Sequence, residues 1–327
     1  MPGTRREQGA EGLNVAQQPA LLALDWGTSS LRASLLGAGG RPLDSRHRPW
    51  GLLHLPEGGF AAALQGIAGD WLATAPGLPL IASGMVGSMQ GWREAPYVPV
   101  PADAAALAAG LLRFEALPGR WLHIVPGVRR SGARPDVMRG EETQILGLLS
   151  QVPQADLQLV MPGTHSKWVR VEQGRIVDFH TVMTGELFAV LREHSILGRP
   201  AREAGGGSPL DAAFDAGVTA VRDGGPAGAT ALLFSARARV LAGELTAVHS
   251  LDYLSGLLIG EELRSLLPGA GGEALQLVGD AALCERYRRA LALFGRSAQR
   301  VGDDAAAAGL WQVALRAGLC LGETADA

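Results

Sequence analysis

Two short segments of this chain repeat one local pattern 136 positions apart, counted from Gly27 to Gly163. Each segment leaves an apolar run, passes through glycine and hydroxyl residues, and enters a second apolar run. Apolar runs joined by such short turns predict β-hairpins. Backbone N–H groups at a hairpin tip, helped by Thr and Ser hydroxyls, form a concave set of donors that suits phosphate oxygens. The repeat therefore predicts two related halves, each with one phosphate-binding hairpin.

The length of the chain agrees with a duplicated organisation. At 327 residues, 47% of them hydrophobic, the chain can bury two cores of ordinary domain size. We expect a disordered leader over residues 1–18, which are polar and contain glycine. The same division predicts an N-terminal domain over 19–152 and a C-terminal domain over 153–327.

Charge and cysteine content narrow the class of function. The formal net charge is −3, so no broad basic surface is expected, and we predict no nucleic-acid partner. No apolar stretch near the start is long enough for a signal peptide or membrane span, so no membrane partner is expected. Cys284 and Cys320 are the two cysteines. They fit a reducing, cytoplasmic location and have no metal-ligand spacing.

The order of predicted elements indicates an α/β fold that occurs twice. In the first half, strands flank the turn at 25–30, and apolar spacing predicts a helix over 60–73. In the second half, three strands surround the turn at 162–165 and helices follow, with a last strand at 275–278 and a helix over 281–293. Paired phosphate hairpins in such halves are typical of ATP-using enzymes with a duplicated actin-like, ribonuclease H-like fold. The two domains would then enclose a central nucleotide cleft.

Phosphoryl transfer from ATP requires a donor-lined cradle, a carboxylate that holds Mg²⁺ through water, and a base for the acceptor hydroxyl. Asp25, at the end of a predicted strand, is the best candidate for the Mg²⁺ site. Lys167 either neutralises phosphate charge or is a solvated lysine at a strand edge, and His165 either faces phosphate or fills the turn. The predicted nucleotide-binding residues of the two hairpins are Asp25, Gly27, Thr28, Ser29, Gly163, Thr164, His165, Ser166 and Lys167.

A cluster of acidic residues precedes the apolar run at 145–149. Asp136 follows a proline and is expected to cap the helix there, so that it clusters with Glu141, Glu142 and Arg139 at a helix start. A carboxylate within reach of a hydroxyl can accept its proton, so the three acidic residues are the candidates for the base. Arg139 can hold the carboxylate of an acidic substrate, because its planar guanidinium matches that group in a bidentate manner.

A loop rich in small residues, 83–92, follows another short predicted strand. Such a loop is either one wall of a small-molecule pocket or a simple surface turn. Other nucleotide and hydrolase machinery is absent from the sequence: it has no Walker-type Gly-Lys-Ser/Thr, no Gly-x-Gly-x-x-Gly opening a helix, and no Gly-x-Ser-x-Gly elbow.

Several longer blocks resemble the 2-dehydro-3-deoxygalactonokinases, over about residues 21–318. The blocks are residues 25–32, 84–88 with 91–92 and 95–97, 137–144, 161–168, 181–187 and 255–260.

The resemblance implies an actin-like sugar-acid kinase. It would transfer the γ-phosphoryl group of ATP to the 6-hydroxyl of 2-dehydro-3-deoxy-D-galactonate, in bacterial galactonate breakdown. Gly279 would lie in the adenosine-contacting segment. Overlay on glycerol-kinase-like relatives favours Glu141 as the base, overlay on exopolyphosphatase-like relatives favours Glu142, and Asp136 is the third choice. The substrate would contact Arg139 and the loop residues Gly84, Met85, Ser88 and Trp92.

Other functions compete with this interpretation. An exopolyphosphatase-like phosphohydrolase would share the fold and the hairpins but pass phosphoryl to water. A kinase for another 2-keto-3-deoxy sugar acid, such as the gluconate epimer, is equally compatible with the residues. A sugar sensor derived from a kinase would carry a DNA-binding helix-turn-helix, and only about twenty residues precede the first predicted strand. The partners expected are therefore ATP and a small sugar acid, and the sequence leaves a homodimer open.

Overall fold

The computed structural model describes residues 18–152, 156–205, 207–271, 274–302 and 305–321. The leader predicted over 1–18 lies outside the described residues, apart from Gln18.

The described part of the first half contains nine strands and three α-helices. Its first two strands form the predicted hairpin. The helix predicted over 60–73 is confirmed as a slightly longer one. The strands are β1 (Leu21–Trp26), β2 (Leu31–Leu36), β3 (Pro42–Arg48), β4 (Leu80–Gly84), β5 (Tyr97–Pro99), β6 (Leu112–Leu117), β7 (Arg120–Ile124), β8 (Gly127–Arg130) and β9 (Asp136–Met138). The helices are α1 (Gly59–Thr74), α2 (Ala104–Ala109) and α3 (Glu141–Leu149).

The second half again begins with three strands, as the sequence predicts. Its strands are β10 (Leu157–Met161), β11 (Ser166–Glu172), β12 (Arg175–Val182), β13 (Leu275–Leu277) and β14 (Ala298–Arg300). Its helices are α4 (Thr184–His194), α5 (Arg199–Ala204), α6 (Asp211–Asp223), α7 (Gly228–Leu232), α8 (Ser235–Leu241), α9 (Ser250–Leu266), α10 (Ala281–Leu293) and α11 (Ala305–Arg316).

The two large sheets share one topology. In the first sheet the strand order is β3-β2-β1-β4-β7-β6, and in the second it is β12-β11-β10-β13-β14. In each sheet the central strand pairs antiparallel with the strand that follows its hairpin, and parallel with a strand reached after a helical crossover. This equivalence confirms the predicted duplicated α/β fold.

Helices α3 and α11 pack closely together between the two sheets. A Cβ atom at Gly147 would lie 1.8 Å from the carbonyl oxygen of Ala305, and one at Gly309 would lie 1.7 Å from that of Thr143. Only glycine permits backbones to approach this closely. One continuous core includes these helices and apolar residues of both sheets. Helix α11 belongs to the second half by sequence, but it packs against β1 and α2 of the first half. The predicted domain boundary at residue 152 therefore stays a prediction.

A three-stranded sheet, β5-β8-β9, also connects the first half to β12. Ala102 and Ile176 exchange backbone hydrogen bonds of 2.9 and 2.8 Å. Asp136 in β9 accepts hydrogen bonds from the backbone N–H and the hydroxyl of Thr181 in β12, at 2.6 and 2.8 Å. The two halves are thus joined by these hydrogen bonds as well as through the shared core. Over the described ranges, no helix has both the length and the apolar composition required to cross a membrane.

Candidate active site

The first hairpin follows β1 and places Asp25 beside the end of β4. Asp25 pairs in register with Ser83. The turn is closed by a 2.9 Å hydrogen bond from the Gly27 N–H to the Ser30 carbonyl. Thr28 and Ser29 are exposed at its tip. The tip therefore exposes Thr28 and Ser29, the residues for which the sequence predicts phosphate contacts.

Asp25 lies in an unfavourable position for a carboxylate charge. Burial raises its pKa, the nearby positive charge of Arg32 lowers it, and the negative charge of Glu141 raises it again. A carboxyl group that is partly desolvated and lies beside another carboxylate binds a cation readily, because the cation relieves both costs. The geometry is thus compatible with Mg²⁺ at Asp25.

Helix α3 begins at Glu141, and the residue that precedes it is Gly140. Gly140 has a φ of +106°, a conformation that favours glycine, and a Cβ there would lie 3.2 Å from the Cα of Gly84. The expectation that Asp136 caps this helix was wrong. Asp136 lies in β9, and its carboxylate accepts hydrogen bonds from Thr181 and from the Val137 N–H. Asp136 is therefore occupied in joining β9 to β12.

The two glutamates at the start of α3 have different surroundings. The side chain of Glu141 is 25% exposed, and its Oε1 lies 2.8 Å from the Lys167 Nζ. Glu142 is fully buried, and both of its carboxyl oxygens accept from the Gly140 N–H, at 2.9 and 2.7 Å. Burial, reinforced by the charge of Glu141, raises the pKa of Glu142 to about 8. Glu141 is therefore the carboxylate that a ligand could reach.

The second hairpin has an exposed tip at Thr164 and His165 and a buried stem. The His165 imidazole pairs with Glu186 of α4. Lys167 is 4% exposed, and its ammonium donates to the His165 carbonyl at 2.9 Å, besides pairing with Glu141. The alternative of a solvated lysine at the strand edge is thus wrong.

Ser166 does not direct its hydroxyl toward the tip. The residue is fully buried, and its Oγ lies 2.8 Å from the Tyr287 hydroxyl in the core of the second half. Any contact of Ser166 with phosphate would therefore need its backbone N–H rather than its side chain.

The ion pair between Lys167 and Glu141 connects the second hairpin to the acidic cluster of the first half. Glu141 in turn lies close enough to Asp25 to raise its pKa. The two hairpins thus converge on one set of charges at the boundary between the halves.

An interdomain cavity of about 650 Å³ adjoins this set of charges. Asp25 and Arg32 line it from the first half, and Gly279, Asp280 and Arg300 line it from the second. Gly279 has a φ of +140° and directly precedes Asp280, whose carboxylate caps α10 by accepting from the Leu283 N–H at 2.9 Å. The predicted adenosine-contacting residue is therefore placed on the wall of the cleft.

A second, more apolar cavity of about 310 Å³ lies between α4, α9 and α10. Gly163 of the hairpin borders it at one end, and Phe188, Ile259 and Leu283 provide much of its apolar surface. Asp252 and Arg286 form an ion pair of 2.6 Å at its edge. The repeat in the sequence gives no indication of this cavity, which arises from helices distant along the chain.

The loop after β4 lies against the start of α3. The guanidinium of Arg139 stacks over the Tyr97 ring at 4.3 Å and donates to the Ala95 carbonyl at 2.7 Å. Its Nε and Nη1 are buried without a hydrogen-bond partner among the described residues. Buried donors of this kind favour binding of an acceptor group. Nε–H and Nη1–H point to different sides of the guanidinium, so a carboxylate could accept from one of them rather than from both.

The other residues predicted to contact substrate, in the loop after β4, are held by hydrogen bonds and packing contacts within the protein. The Ser88 hydroxyl donates to the Met85 carbonyl at 2.8 Å, which closes the loop on itself. The Trp92 ring stacks on Phe60, with centroids 5.6 Å apart, and meets Trp26 edge to face at 6.0 Å. Gly84 contributes close backbone contact with Gly140. The loop is therefore a packed wall beside Arg139 rather than a mobile surface turn.

One buried group was not foreseen from the sequence. Glu262 of α9 is 2% exposed and accepts hydrogen bonds from Trp168, Thr184 and Tyr287 beneath the second hairpin. Its only signal is an acidic residue within an otherwise apolar helical run, and surface glutamates in such runs are common.

Phosphoryl groups held by both hairpin tips would lie next to carboxylates that can receive a proton and near an arginine suited to an acid. Fold and site together define a phosphotransferase of the actin-like class, a sugar-acid kinase. The chain belongs to the 2-keto-3-deoxy-galactonokinase family, whose model matches residues 25–313.

Curated relatives and a solved structure agree with this membership. The chain is 36% identical to the 2-dehydro-3-deoxygalactonokinase of Escherichia coli (strain K12), over 90% of this chain and 97% of that protein. It is 41% identical to a protein of Rhizobium meliloti (strain 1021) named as a probable 2-dehydro-3-deoxygalactonokinase, over 88% and 94% of the two chains. A crystal structure of a provisionally assigned 2-dehydro-3-deoxygalactonokinase protein from Sinorhizobium meliloti superposes with a TM-score of 0.82 at 39% identity, covering 90% of this chain and 98% of that one.

A more distant similarity concerns the fold alone. The (R)-2-hydroxyglutaryl-CoA dehydratase component A of Acidaminococcus fermentans superposes with a TM-score of 0.50 at 12% identity, over 92% of this chain and 100% of that chain. The family membership supports the kinase interpretation over the phosphohydrolase alternative.

Proposed function

We propose that this protein transfers the γ-phosphoryl group of ATP to the 6-hydroxyl of 2-dehydro-3-deoxy-D-galactonate, giving 2-dehydro-3-deoxy-6-phospho-D-galactonate in galactonate breakdown. The observation that carries the proposal is the 2.8 Å pair between Lys167 and Glu141. It brings a cation from the second hairpin to a carboxylate at the start of α3, beside the Asp25 hairpin. Donor and acceptor could thus be held together between the two halves.

Mg²⁺ would be held at Asp25. Mg²⁺ usually keeps several waters and binds one or two carboxylates together with substrate phosphates, so it does not need a cage of protein ligands. In keeping with this, no cluster of three or more His, Cys, Asp or Glu residues able to hold a metal occurs in the part of the chain that the structure describes. When bound, the ion would neutralise charge on the β- and γ-phosphate oxygens.

Glu141 is the proposed base. Its side chain is partly exposed, and its carboxylate is held by the Lys167 ammonium and by the backbone N–H of Arg139 at 3.1 Å. Glu142 helps to position Glu141, because its buried carboxyl group accepts from the Gly140 N–H and fixes the turn that begins α3. The acceptor hydroxyl would donate its proton to Glu141 as the phosphoryl group is transferred.

Arg139 is proposed to bind the carboxylate of the sugar acid. Its Nη2 is already used by the Ala95 carbonyl, while Nε and Nη1 have no partner within the described segments. The stacking on Tyr97 limits the movement of the guanidinium, so a substrate carboxylate would be held in one orientation. The loop residues Gly84, Met85, Ser88 and Trp92 would form the neighbouring wall.

ATP is proposed to span the second half, with its phosphates between the hairpin tips. Thr28, Ser29, Thr164 and the backbone N–H of Gly163 would donate to phosphate oxygens, and Lys167 would shift from Glu141 toward the γ-phosphate. Gly27, whose own N–H closes the first turn on the Ser30 carbonyl, would shape that turn beside the phosphates. The adenine base would lie in the apolar cavity that Gly163 borders. Gly279 lines the interdomain cavity instead, and it precedes α10, whose Leu283 and Tyr287 line the apolar cavity. The protein is further proposed to work in the cytoplasm, in keeping with its two free cysteines. A homodimer is a separate prediction, which light scattering after gel filtration would test.

A coupled assay of ADP formation, run with a panel of 2-keto-3-deoxy sugar acids, tests the proposal. We expect ADP formation to require a sugar acid and to be fastest with the galactonate derivative, and ³¹P NMR should show a phosphomonoester on C6. Equal rates of ADP formation with and without sugar acid would instead indicate a phosphohydrolase. A faster reaction with the gluconate epimer would reassign the substrate.

A further inference from the structure

Glu262 lies in the middle of α9, beneath the second hairpin, and has no role in the function proposed above. It is 2% exposed, and an isolated carboxylate in such a position is costly unless it is hydrogen bonded. Burial raises the pKa of Glu262, and the hydrogen bonds it accepts lower it. None of those hydrogen-bond partners is a cation. The carboxylate is therefore held by neutral donors alone.

The donors of this network have fixed directions. The Trp168 indole N–H donates to Oε1 at 2.7 Å, whereas the hydroxyls of Thr184 and Tyr287 meet Oε2, Tyr287 at 2.7 Å. A carboxylate only accepts, so Tyr287 must use its proton on Glu262. Its oxygen can then accept from the Ser166 hydroxyl at 2.8 Å. Four side chains are thus ordered around one carboxylate.

These four side chains support both chain segments that form the second hairpin tip. Ser166 and Trp168 are the first and third residues of β11, directly after the tip. Thr184 is the first residue of α4, and the same first turn contacts the tip through a 3.0 Å hydrogen bond from the Glu186 N–H to the Thr164 carbonyl. Tyr287 belongs to α10. Glu262 therefore joins the hairpin, the start of α4 and α10 at one point.

The same network borders the apolar cavity between α4, α9 and α10. Thr184 and Tyr287 line that cavity together with Gly163. A change in the network would alter the cavity wall and the position of the hairpin at the same time. Among the residues that the structure describes, no comparable hydrogen-bond link runs from Glu262 to Arg139 in the first half.

We propose that Glu262 is a positioning residue for the nucleotide: it holds the second hairpin tip and the start of α4 in the arrangement that binds ATP. The inference rests on the proposed function, in which this hairpin holds the ATP phosphates. Glu262 is buried and lines neither cavity, and its contacts support the second hairpin, so its effect should appear in nucleotide affinity rather than in affinity for the sugar acid.

Glu262→Gln tests this while keeping the shape of the side chain. Its amide oxygen must face the Trp168 N–H, so its NH₂ group faces the hydroxyls of Thr184 and Tyr287, which must then turn to accept. We expect the Kd for ATP, measured by calorimetric titration, to rise about tenfold, with KM for ATP rising in parallel. The KM for sugar acid should stay within about twofold of wild type. Glu262→Ala, which removes every acceptor, should weaken ATP binding further.

Glu261→Gln is the matched control, since Glu261 is the preceding residue of α9 and pairs with Arg264 outside the network at 2.6 Å. It should leave the Kd for ATP unchanged. A lower Tm with unchanged Kd in both Glu262 variants would overturn the inference and leave Glu262 a purely structural residue. If Glu262→Ala fails to fold, the titration of Glu262→Gln decides alone.

The same titration separates this inference from the proposed function. A wild-type protein that binds ATP but phosphorylates no sugar acid would refute the proposed reaction, and the response of ATP affinity to Glu262→Gln would still decide the role of Glu262. A wild-type protein that binds no ATP would overturn both.

Discussion

The two phosphate hairpins have the same local structure but are held in place by different interactions. The first is fixed by backbone contacts: the Gly27 and Thr28 carbonyls accept from the N–H groups of Leu52 and Leu53, at 3.0 and 3.1 Å. Its buried Trp26 donates to the Trp50 carbonyl at 2.8 Å. The second hairpin is fixed by side chains, through the buried Glu262 network and the Lys167 pair.

The comparison shows that a turn can be duplicated without duplicating the interactions that hold it in place. The first hairpin carries the charged group proposed for chemistry, Asp25, on a support of backbone and aromatic rings. The second carries none of the proposed metal ligands, and its polar core links it to helices that surround an apolar cavity. We therefore expect damage to the first hairpin to reduce turnover, and damage to the second to reduce nucleotide affinity.

The largest effect is expected from Asp25→Asn. Loss of the carboxylate removes the proposed Mg²⁺ ligand, so kcat should fall about 10³-fold. Because burial already disfavours the charge of Asp25, thermal unfolding should show a Tm no lower than wild type. Asp44→Asn, on the exposed strand β3, is the control and should keep normal turnover. A kcat of Asp25→Asn within tenfold of wild type would remove Asp25 from the metal site.

Lys167→Met should have the next largest effect. It deletes the cation at the second hairpin and leaves Glu141 without its 2.8 Å partner, so kcat/KM for ATP should fall about 10²-fold in steady-state assays. Arg170→Met changes an exposed cation of the same strand, paired with Glu172, and should be neutral. If Lys167→Met altered only the KM for sugar acid, the second hairpin would not be the nucleotide side.

The two hairpins also lie near two buried glutamates. Glu142 accepts from a backbone N–H, whereas Glu262 accepts from side-chain donors. The pKa of Glu142, about 8 in the folded protein against 4.5 when unfolded, is raised chiefly by burial. Its stabilising contribution is therefore complete below pH 4.5 and is lost as pH rises through 8. Between pH 6 and 9 this loss should be roughly 2–3 kcal/mol of unfolding free energy.

Urea unfolding of Glu142→Gln at pH 6 and pH 9 checks this value. The variant, whose side chain cannot ionise, should lose less stability over the interval than wild type by about that amount. Glu94→Gln, in an exposed loop, should behave as wild type. Identical pH dependence in wild type and Glu142→Gln would show that Glu142 does not titrate in this range.

The smallest effects are expected from two matched tryptophan substitutions. Trp168→Phe removes the indole donor to Glu262, and Trp26→Phe removes the donor to the Trp50 carbonyl, so each should cost about 1 kcal/mol of stability. Only Trp168→Phe should also raise the KM for ATP, by about threefold. Equal KM values for ATP in the two variants would mean that the difference in support has no functional consequence.

Much of the fold followed from local patterns in the sequence. The repeated apolar–turn–apolar segments predicted both hairpins. Apolar spacing predicted α1, and a repeated strand-to-helix crossing predicted α10, each helix within a residue at both ends. These elements depend on periodicity and on glycine, which are properties of short stretches of chain. Asp136 was wrongly predicted to cap α3. Its carboxylate instead accepts a hydrogen bond from the Thr181 N–H of β12, 45 residues away, and so joins β9 to β12.

The sequence by itself determined that two hairpin cradles, an acidic cluster and an arginine occur in one duplicated α/β chain, since each is encoded within a few neighbouring residues. Only the tertiary structure decided which glutamate keeps a partly exposed carboxylate and that Lys167 pairs with Glu141. It also decided that Ser166 turns inward and that Glu262 supports the second hairpin. These outcomes depend on burial and on contacts between distant segments, where the energy of a charge is set by its surroundings rather than by its neighbours in the chain.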